Sequence, residues 1–560
     1  MGVVKLSKAG HEQVAQEIEA LAPQSITHFK DGAAAGGTGT SEALANTENV
    51  NAGPTGKSSN IHALLNTPGS PPPGPSGSGT KTSNIQSLIN YFLMLNSLYY
   101  DILILGATGV TGRQTARYLA AHPQQSQFTF SIAGRSRAKL DTLISELSLP
   151  NSVPVHVVDV LNFEQVEAVV KKHKVVLTTV GPYVKWGKNV VRACARNGVH
   201  YADLTGEQLF VKEIIERYAY IASKTGSTII PSCGLDSLPS DIAVFVANKV
   251  LKEYSRNSEP LQIDSSTSAL EFEGVFSNGT VSTVVTAIGS TPSHKLSESL
   301  QDHFLSPVSG KPSPAPRLTY SLALPSTLRT VVGGYFLMSS TNKSVVQRSA
   351  GLLEYEVLTS TYASGSRAQK DQAKAIRERY GAGMVYEEFL RTNTSFMGAL
   401  VTLGLFFGLS LMALPPVRWF VGRLGMKETS VIIDKQLAEQ GRVKLVNVTI
   451  AEPSSAFPKG PVKVETTIAA KGDPGYYLSP IMMAESGLAL LLNTSSLPIL
   501  SSHGRGGVLT PAVALGNVIV DRLREYGGFE IRSELYYDGE SRQVNGNGGG
   551  NGSGESRKSV

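Results

Sequence analysis

Between residues 100 and 235 apolar residues fall into short blocks separated by turn formers, and the period of the blocks changes in a regular way. YDILIL (100–105) is a continuous apolar run closed by glycine, the signature of a strand buried on both faces of a parallel sheet. FTFSIA (128–133), VPVHVVDV (153–160), VVLTTV (175–180), HYADL (200–204) and STIIPSC (227–233) share that character. Between the runs the period lengthens. Leu140, Leu143, Ile144 and Leu147 stand at i, i+3, i+4 and i+7 behind Ser136, a helix with its N-cap. Six strands with crossover helices predict an α/β fold whose first ordered part, residues 100–236, is a Rossmann-type doubly wound sheet.

A second pattern departs from both periods. No charged residue occurs between Arg391 and Arg418, and MGALVTLGLFFGLSLMAL (397–414) is apolar almost throughout, ahead of Pro415 and Pro416. Eighteen residues at about 1.5 Å each reach about 27 Å, close to the roughly 30 Å hydrocarbon core of a bilayer. PPVRWFVGRLGM follows, with Trp419 and Phe420 between Arg418 and Arg423, as in an interfacial anchor with snorkelling cations. Residues 391–424 thus predict a membrane or lipid-droplet insert, either a single span or a hairpin entering one leaflet. A buried helix of the second domain or a homodimer contact is the other reading, and Gly404 and Gly408 form a GxxxG pair that would let helices approach.

At both ends the pattern fades. Residues 22–80 are mostly Gly, Ala, Ser, Thr, Pro and Asn, and NGNGGGNGSGESRKSV closes the chain. Such stretches bury too little apolar surface to offset chain entropy, so residues 1–99 and 539–560 are expected to be disordered. Within the first, KSSNIHALLN (57–66) recurs as KTSNIQSLIN (81–90), as a docking motif or a low-complexity duplication. Residues 237–390 and 425–538 are left for a second domain on either side of the insert, the latter part ending in a helix.

Composition narrows the function classes. The net charge of +6 is small for 560 residues and its lysines and arginines are scattered, so nucleic acid is not an expected partner. Two cysteines, Cys194 and Cys233, exclude a disulfide framework, and MGVVKLSKAGHEQVAQEIEAL carries no secretory signal, so the chain is not expected to be secreted. The ten histidines show no metal-ligand spacing, and no metal is expected.

The chemistry concentrates at strand ends. GATGVTG sets Gly106, Gly109 and Gly112, with Thr108 and Val110, between the first strand and a helix, where free N–H groups and the helix dipole receive a pyrophosphate. After the second strand AGRSRAKL offers Arg135 and Arg137 and no acid, which favours a 2′-phosphate and hence NADP(H). Asp159 ends the third strand, either beside the adenine or as a turn residue, while Gly181 and Pro182 bring the fourth strand's loop to the cofactor. Tyr183 is the candidate catalytic acid or a packing tyrosine. Asp203, Glu207 and Asp236 either bind substrate or cap helices and turns, and Ser277, Asn278 and Thr280 in FSNGT either line the cleft or form a hairpin.

GATGVTG with AGRS, VGPYVKWGKNVVRACARNGVHYADLTGE (180–207), PSCGLDSLPSDI (231–242), GDPGYYLSPIMMAESGLALLL and GGVLTPA together resemble the saccharopine dehydrogenase-like oxidoreductases, in the branch with the mycobacterial trans-acting enoyl reductases. The resemblance covers roughly residues 100 to 535. It implies an NADP-binding Rossmann domain, a second α/β domain with a mostly antiparallel sheet, and association of eukaryotic relatives with lipid droplets and membranes. The expected function is NADPH-dependent reduction of a lipid-like substrate at the cytosolic face of a membrane or droplet. A non-catalytic NADP(H)-binding scaffold or sensor, and a soluble saccharopine or amino-acid oxidoreductase, are the alternatives.

Overall fold

The alternation of strand and helix is realised in a computed structural model that describes residues 100–537, except 151, 275–288, 290, 362–364, 426–440 and 499–505, together with 540–543. The terminal extension with its repeat, the tail beyond residue 543, and Ser277, Asn278 and Thr280 lie outside the described residues; residues 540–543, expected to be disordered with the tail, pair instead as an edge strand of the second sheet. The first strands are β1 (Tyr100–Leu105), β2 (Phe130–Gly134), β3 (Val155–Val157), β4 (His173–Thr178), β5 (His200–Asp203) and β6 (Thr228–Ile230). Between them run helices α1 (Val110–Ala120), α2 (Arg137–Leu147), α3 (Phe163–Val170), α4 (Lys188–Asn197) and α5 (Gln208–Thr225). Ser136 caps α2 by accepting from Lys139 N–H, as its spacing predicts.

Beyond β6 come α6 (Leu238–Tyr254), β7 (Ile263–Glu273), β8 (Tyr320–Ala323), β9 (Thr330–Tyr335), α7 (Ser339–Thr361), α8 (Ser366–Glu378) and β10 (Val385–Thr392). The apolar insert forms α9 (Ser395–Met412) and α10 (Pro415–Gly425). Last are β11 (Arg442–Ala451), β12 (Lys463–Lys471), α11 (Ser479–Leu492), β13 (Gly507–Val508), α12 (Asn517–Glu525), β14 (Glu530–Tyr537) and β15 (Glu540–Gln543).

The strands make two sheets. The first, in order β13-β6-β5-β4-β1-β2-β3, is parallel throughout. The period of two along β1 sends Ile102 and Ile104 to a core shared with α1, α2 and α11, and Leu103 and Leu105 to a core shared with α3, α4 and α5. The second sheet, β15-β14-β12-β11-β7-β10-β9-β8, is antiparallel except where β7 pairs with β10. Helix α6 lies across its middle strands and α7 packs on β10.

Residues 425–538 do not all belong to the second domain, as the sequence pattern had suggested. While β11, β12 and β14 pair in the second sheet, α11 packs on β4, β5 and α1, and β13 extends the first sheet as a seventh strand. A buried ion pair fixes this return. Glu485 on α11 is fully buried and accepts from Arg522 Nε at 2.7 Å, His122 Nε2 at 2.9 Å and Tyr118 OH at 2.5 Å, so α12, α11 and α1 converge on one carboxylate. Burial, with Glu485 beside it, pushes the Tyr118 phenol far up and keeps it a donor.

Helix α9 is joined to the second sheet along one narrow line. Gly398 and Thr402 are its only buried residues, and backbone meets backbone there: a Cβ on Gly398 would lie 2.4 Å from the carbonyl oxygen of Gly333. The Thr402 hydroxyl accepts from Tyr335 N–H at 2.8 Å and sits 2.9 Å from the Leu318 carbonyl. The rest of the helix is exposed or half-buried, with Leu403 57%, Phe407 67% and, on α10, Trp419 64% exposed.

Candidate functional site at the carboxyl edge of the first sheet

The strand order reverses between β1 and β4, and a parallel sheet opens its ligand crevice at such a point, beyond the carboxyl ends of the strands. The glycine loop sits there. Gly106 has φ +88°, a left-handed conformation, and a Cβ on it would meet Thr179 Oγ1 and Val180 Cγ2 at 2.8 Å. Gly112 presses against the turn itself, where a Cβ would lie 2.3 Å from Gly106 O. Gly109 is exposed, with no side chain capping α1, so the first N–H groups of the helix face outward. Thr108 is half-buried and Val110 exposed beside them. This cradle fits a pyrophosphate.

At the end of β2, Arg135 is exposed and has no side-chain partner among the described residues. Arg137 instead pairs with Asp141 at 2.9 Å, one turn along α2, which leaves Arg135 the readier partner for a 2′-phosphate. Asp159 is exposed and uses Oδ1 in a turn, accepting from Leu161 N–H at 3.0 Å. Gly181 is exposed and Pro182 buried, joined by a cis peptide bond at the end of the β4 loop.

Three polar residues of this edge turn inward. The Tyr183 hydroxyl donates to Thr178 O at 3.1 Å and receives Leu204 N–H at 3.3 Å, and burial raises its pKa well above the ordinary phenol value. That geometry makes Tyr183 a clasp between two loops and gives it no free proton to deliver. Asp203 is buried: Oδ2 accepts from Tyr201 OH at 2.6 Å, Oδ1 from Thr205 and Ser232 N–H at 2.9 and 3.0 Å. Burial pushes it up to about 6, against those hydrogen bonds. The two oxygens of Glu207 accept from Tyr183 and Val184 N–H at 2.7 and 2.8 Å. Asp203 and Glu207 therefore hold the loops at this edge, each with both carboxyl oxygens engaged by the protein.

Asp236, in the turn between β6 and α6, differs. It is half-buried and its carboxyl has no hydrogen-bond partner among the described residues. Burial raises it to about 6. Apolar side chains stand around this turn: Leu204 touches the Gly234 position, and Met338, at the start of α7, touches Gly206. Sequence reading missed Met338, Asn342 and Glu388, which the second domain brings to the same edge. The signal for the last was present, an acid at the inward position of the alternating run Tyr386, Glu388, Leu390. A separate cavity of about 510 Å³ opens between Lys171, His173, His200 and Leu491, at the amino ends of β4 and β5. It lies on the edge opposite the glycine loop, too far from the crevice to be the nucleotide site.

Comparison with known proteins agrees with this geometry. Residues 102–230 match the saccharopine dehydrogenase NADP binding domain. The trans-acting enoyl reductase of Mycobacterium bovis is 30% identical over 435 residues, covering 76% of this chain and 95% of that one. That of Mycobacterium leprae is 29% identical over 439 residues, covering 76% and 96%. Among solved structures, saccharopine dehydrogenase (L-Glu forming) from Saccharomyces cerevisiae aligns with a TM-score of 0.41 at 13% identity, covering 78% of this chain and 100% of that one. This chain belongs to the saccharopine dehydrogenase-like oxidoreductases, in the branch of the trans-acting enoyl reductases, and its first domain binds NADP(H).

Proposed function

We propose that this oxidoreductase reduces an activated C=C or C=O bond of a lipid-like acyl substrate, working from the cytosolic face of a membrane or lipid droplet. The observation that carries the reading is the exposed apolar surface of α9 and α10, which grows directly out of β10. Phe396, Leu403, Phe407, Leu411, Trp419 and Phe420 all face outward. Covering such a surface with hydrocarbon is worth about 10–20 kcal/mol at about 25 cal/mol per Å². Water is a poor medium for it. Arg418 beside Trp419 and Phe420 suits the headgroup level, and Pro415 and Pro416 open the returning helix, as a hairpin in one leaflet requires.

Bound NADPH supplies the hydride. The protein's part is to hold it and to choose what meets it. The glycine cradle receives the pyrophosphate, Arg135 the 2′-phosphate, and Asp203, Glu207 and Tyr183 fix the loops beyond β4 and β5. Leu204, Leu235 and Met338 make that edge apolar, which suits an acyl chain better than the paired carboxylates of an amino-dicarboxylate.

The test combines vesicles with turnover. Full-length protein should float with phospholipid vesicles and oxidise NADPH when given long-chain enoyl or ketoacyl thioesters. Arg135→Asp should weaken NADPH binding by about 1.5–3 kcal/mol while leaving NADH nearly unchanged. Protein that stays monodisperse in solution beside vesicles, and equal affinity for the two dinucleotides, would overturn the reading.

A further inference from the structure

One short stretch of chain joins the exposed apolar helix to the cofactor edge. Between Arg329 and Lys343 no charged residue occurs, and this stretch holds β9 and the segment YFLM (335–338) that leads into α7. At one end it carries α9. A Cβ on Gly334 would lie 2.9 Å from Thr402 Oγ1, Tyr335 N–H donates to that hydroxyl at 2.8 Å, and the rings of Tyr335 and Phe406 stand 5.5 Å apart. At the other end it meets the first domain. A Cβ on Gly206, in the loop after β5, would lie 2.8 Å from Met338 Cε, and Thr341 Oγ1 donates to Gly206 O at 3.3 Å. Met338 follows Gly334 by four residues, so the two backbone positions are at most about 14 Å apart.

Gly206 is tied to the glycine loop by a row of direct contacts. Thr179 Oγ1, just past β4, donates to Gly106 O at 3.2 Å. The Tyr183 hydroxyl joins Thr178 O to Leu204 N–H at 3.1 and 3.3 Å, and Gly206 is two residues further on. The loops after β1, β4 and β5 thus stand side by side at the carboxyl edge, with Met338 against the last of them.

The residue at this junction is not the one that helix stability asks for. Asn342 N–H donates to Met338 O at 3.0 Å and closes the first turn of α7, so Met338 is the N-cap of a 23-residue helix. Ser, Thr, Asp or Asn there would accept from a first-turn N–H and stabilise the helix, and a thioether gives no such cap. The side chain instead lies half-buried, as do Leu337 beside it and Leu204 in the loop it touches, while Phe336 is buried with its ring 6.3 Å from that of Phe272. An unbranched thioether adapts its shape to an apolar ligand, which a short polar cap does not.

We propose that Met338 determines specificity for the substrate's acyl chain, and that the chain reaches the cofactor edge from the lipid phase along α9 and residues 334–338 rather than through water. The proposal rests on the reading of this protein as a reductase at a lipid surface. Carrying a long chain through water is unfavourable in proportion to its apolar area. Along 334–338 no charged residue interrupts the way from Thr402 and Phe406 to Gly206. The chain lies against Leu337 and Met338 with its thioester toward Gly206 and its far end still in lipid. Glycine at 206 leaves Met338 the room it occupies, because any side chain there meets the Met338 methyl group. A substrate with a short chain does not touch this route.

The test gives full-length protein and NADPH two α,β-unsaturated thioesters: hexadecenoyl pantetheine in phosphatidylcholine vesicles, and crotonyl pantetheine in water. Met338→Ser should raise KM for the long thioester about tenfold or more, the scale of a lost apolar side-chain contact. For the short thioester kcat/KM should stay within about twofold, as should the dissociation constant for NADPH, since neither involves the chain. Met338→Leu keeps an apolar side chain and should return the long-chain KM to within about threefold of wild type. Because serine supplies a cap, Met338→Ser should melt within about 3 °C of wild type. Crosslinking reads the route without turnover: palmitic acid carrying a mid-chain diazirine, in the same vesicles, should label Leu337 or Met338 as well as α9. Label confined to α9 and α10, or equal losses on the long and the short thioester in Met338→Ser, would overturn the route. Wild-type protein that is labelled at 337 or 338 but reduces neither thioester counts against the reductase reading alone. Protein that does not bind the vesicles ends the lipid-surface reading and the route with it.

Discussion

Helices α9 and α11 are both apolar almost from end to end, and they have opposite fates. In α11, SPIMMAESGLALLL, every residue from Ser479 to Leu490 is buried. In α9, SFMGALVTLGLFFGLSLM, only Gly398 and Thr402 are. Hydrophobicity alone does not separate them. The difference is in the few residues that are not large and apolar. Helix α11 carries an acid, Glu485, whose three partners come from α1, the turn that follows it and α12, and Gly487, where a Cβ would press on Leu177 at 2.6 Å. These are devices for being enclosed by protein. Helix α9 carries no charge, and only its Gly398 is pressed against β9, while its glycines at 404 and 408 have nothing within 4 Å of an added Cβ. An apolar helix with a satisfied buried charge is one that the fold covers; an apolar helix without one awaits a different cover.

The largest effect that separates the two should come from charges placed on the open face of α9. Leu403→Asp, Phe407→Asp and Leu411→Asp together add about 8–10 kcal/mol against bilayer insertion, at about 2.5–3.5 kcal/mol each at a helix centre. Vesicle flotation should be lost while the melting temperature in detergent stays within a few degrees. One such change on α11, Leu488→Asp, should do the reverse and unfold the protein, since it buries an unpaired charge. Flotation that survives the triple change would end the case for α9 as the lipid contact.

Next in size is the carboxylate that encloses α11. Glu485→Gln keeps the side chain's shape but leaves Arg522, whose side chain is 5% exposed, as a buried cation without its partner. The expected loss is about 3–5 kcal/mol of unfolding free energy in urea, the usual result of breaking one side of a buried pair. A change under about 0.5 kcal/mol would mean that α11 is held by apolar packing alone, and the contrast with α9 would lose its physical basis.

How much of this was legible follows from the range of the forces involved. The predicted span of β1 matches the structure residue for residue, because a glycine closes its apolar run, and the Ser136 cap of α2 is a contact three residues long. The turn of the glycine loop was legible for the same reason, as was an apolar helix between residues 391 and 418. Arg135 and Arg137 looked equivalent in sequence until Asp141, one helical turn away, took the second. For Tyr183, Asp203 and Glu207 the sequence left a ligand-facing and a structural reading open, and the partners that decide between them come from neighbouring loops that no local pattern reveals. Strand β13 escaped because two residues carry no period, and its pairing with β6 spans about half of the chain. The return of α11 to the first sheet did leave a trace, since a lone glutamate inside AESGLALLL is tolerated only where it is buried with partners.

The smallest effects test where α9 touches the protein and where it does not. A Cβ on Gly398 would lie 2.4 Å from Gly333 O and 3.0 Å from Gly334 N, both backbone atoms that can yield only if β9 moves. Gly398→Ala should therefore lower stability by about 1–3 kcal/mol, the scale of overpacking. At Gly404 nothing lies within 4 Å, so Gly404→Ala meets no neighbour and should raise stability slightly, by up to about 1 kcal/mol of helix propensity. Opposite signs in thermal unfolding would fix the attachment line of α9 at Gly398 and Thr402. If Gly404→Ala instead destabilises and lowers the mass measured by light scattering, the Gly404 and Gly408 face is a contact between two copies of the chain, and what covers this part of α9 is protein after all.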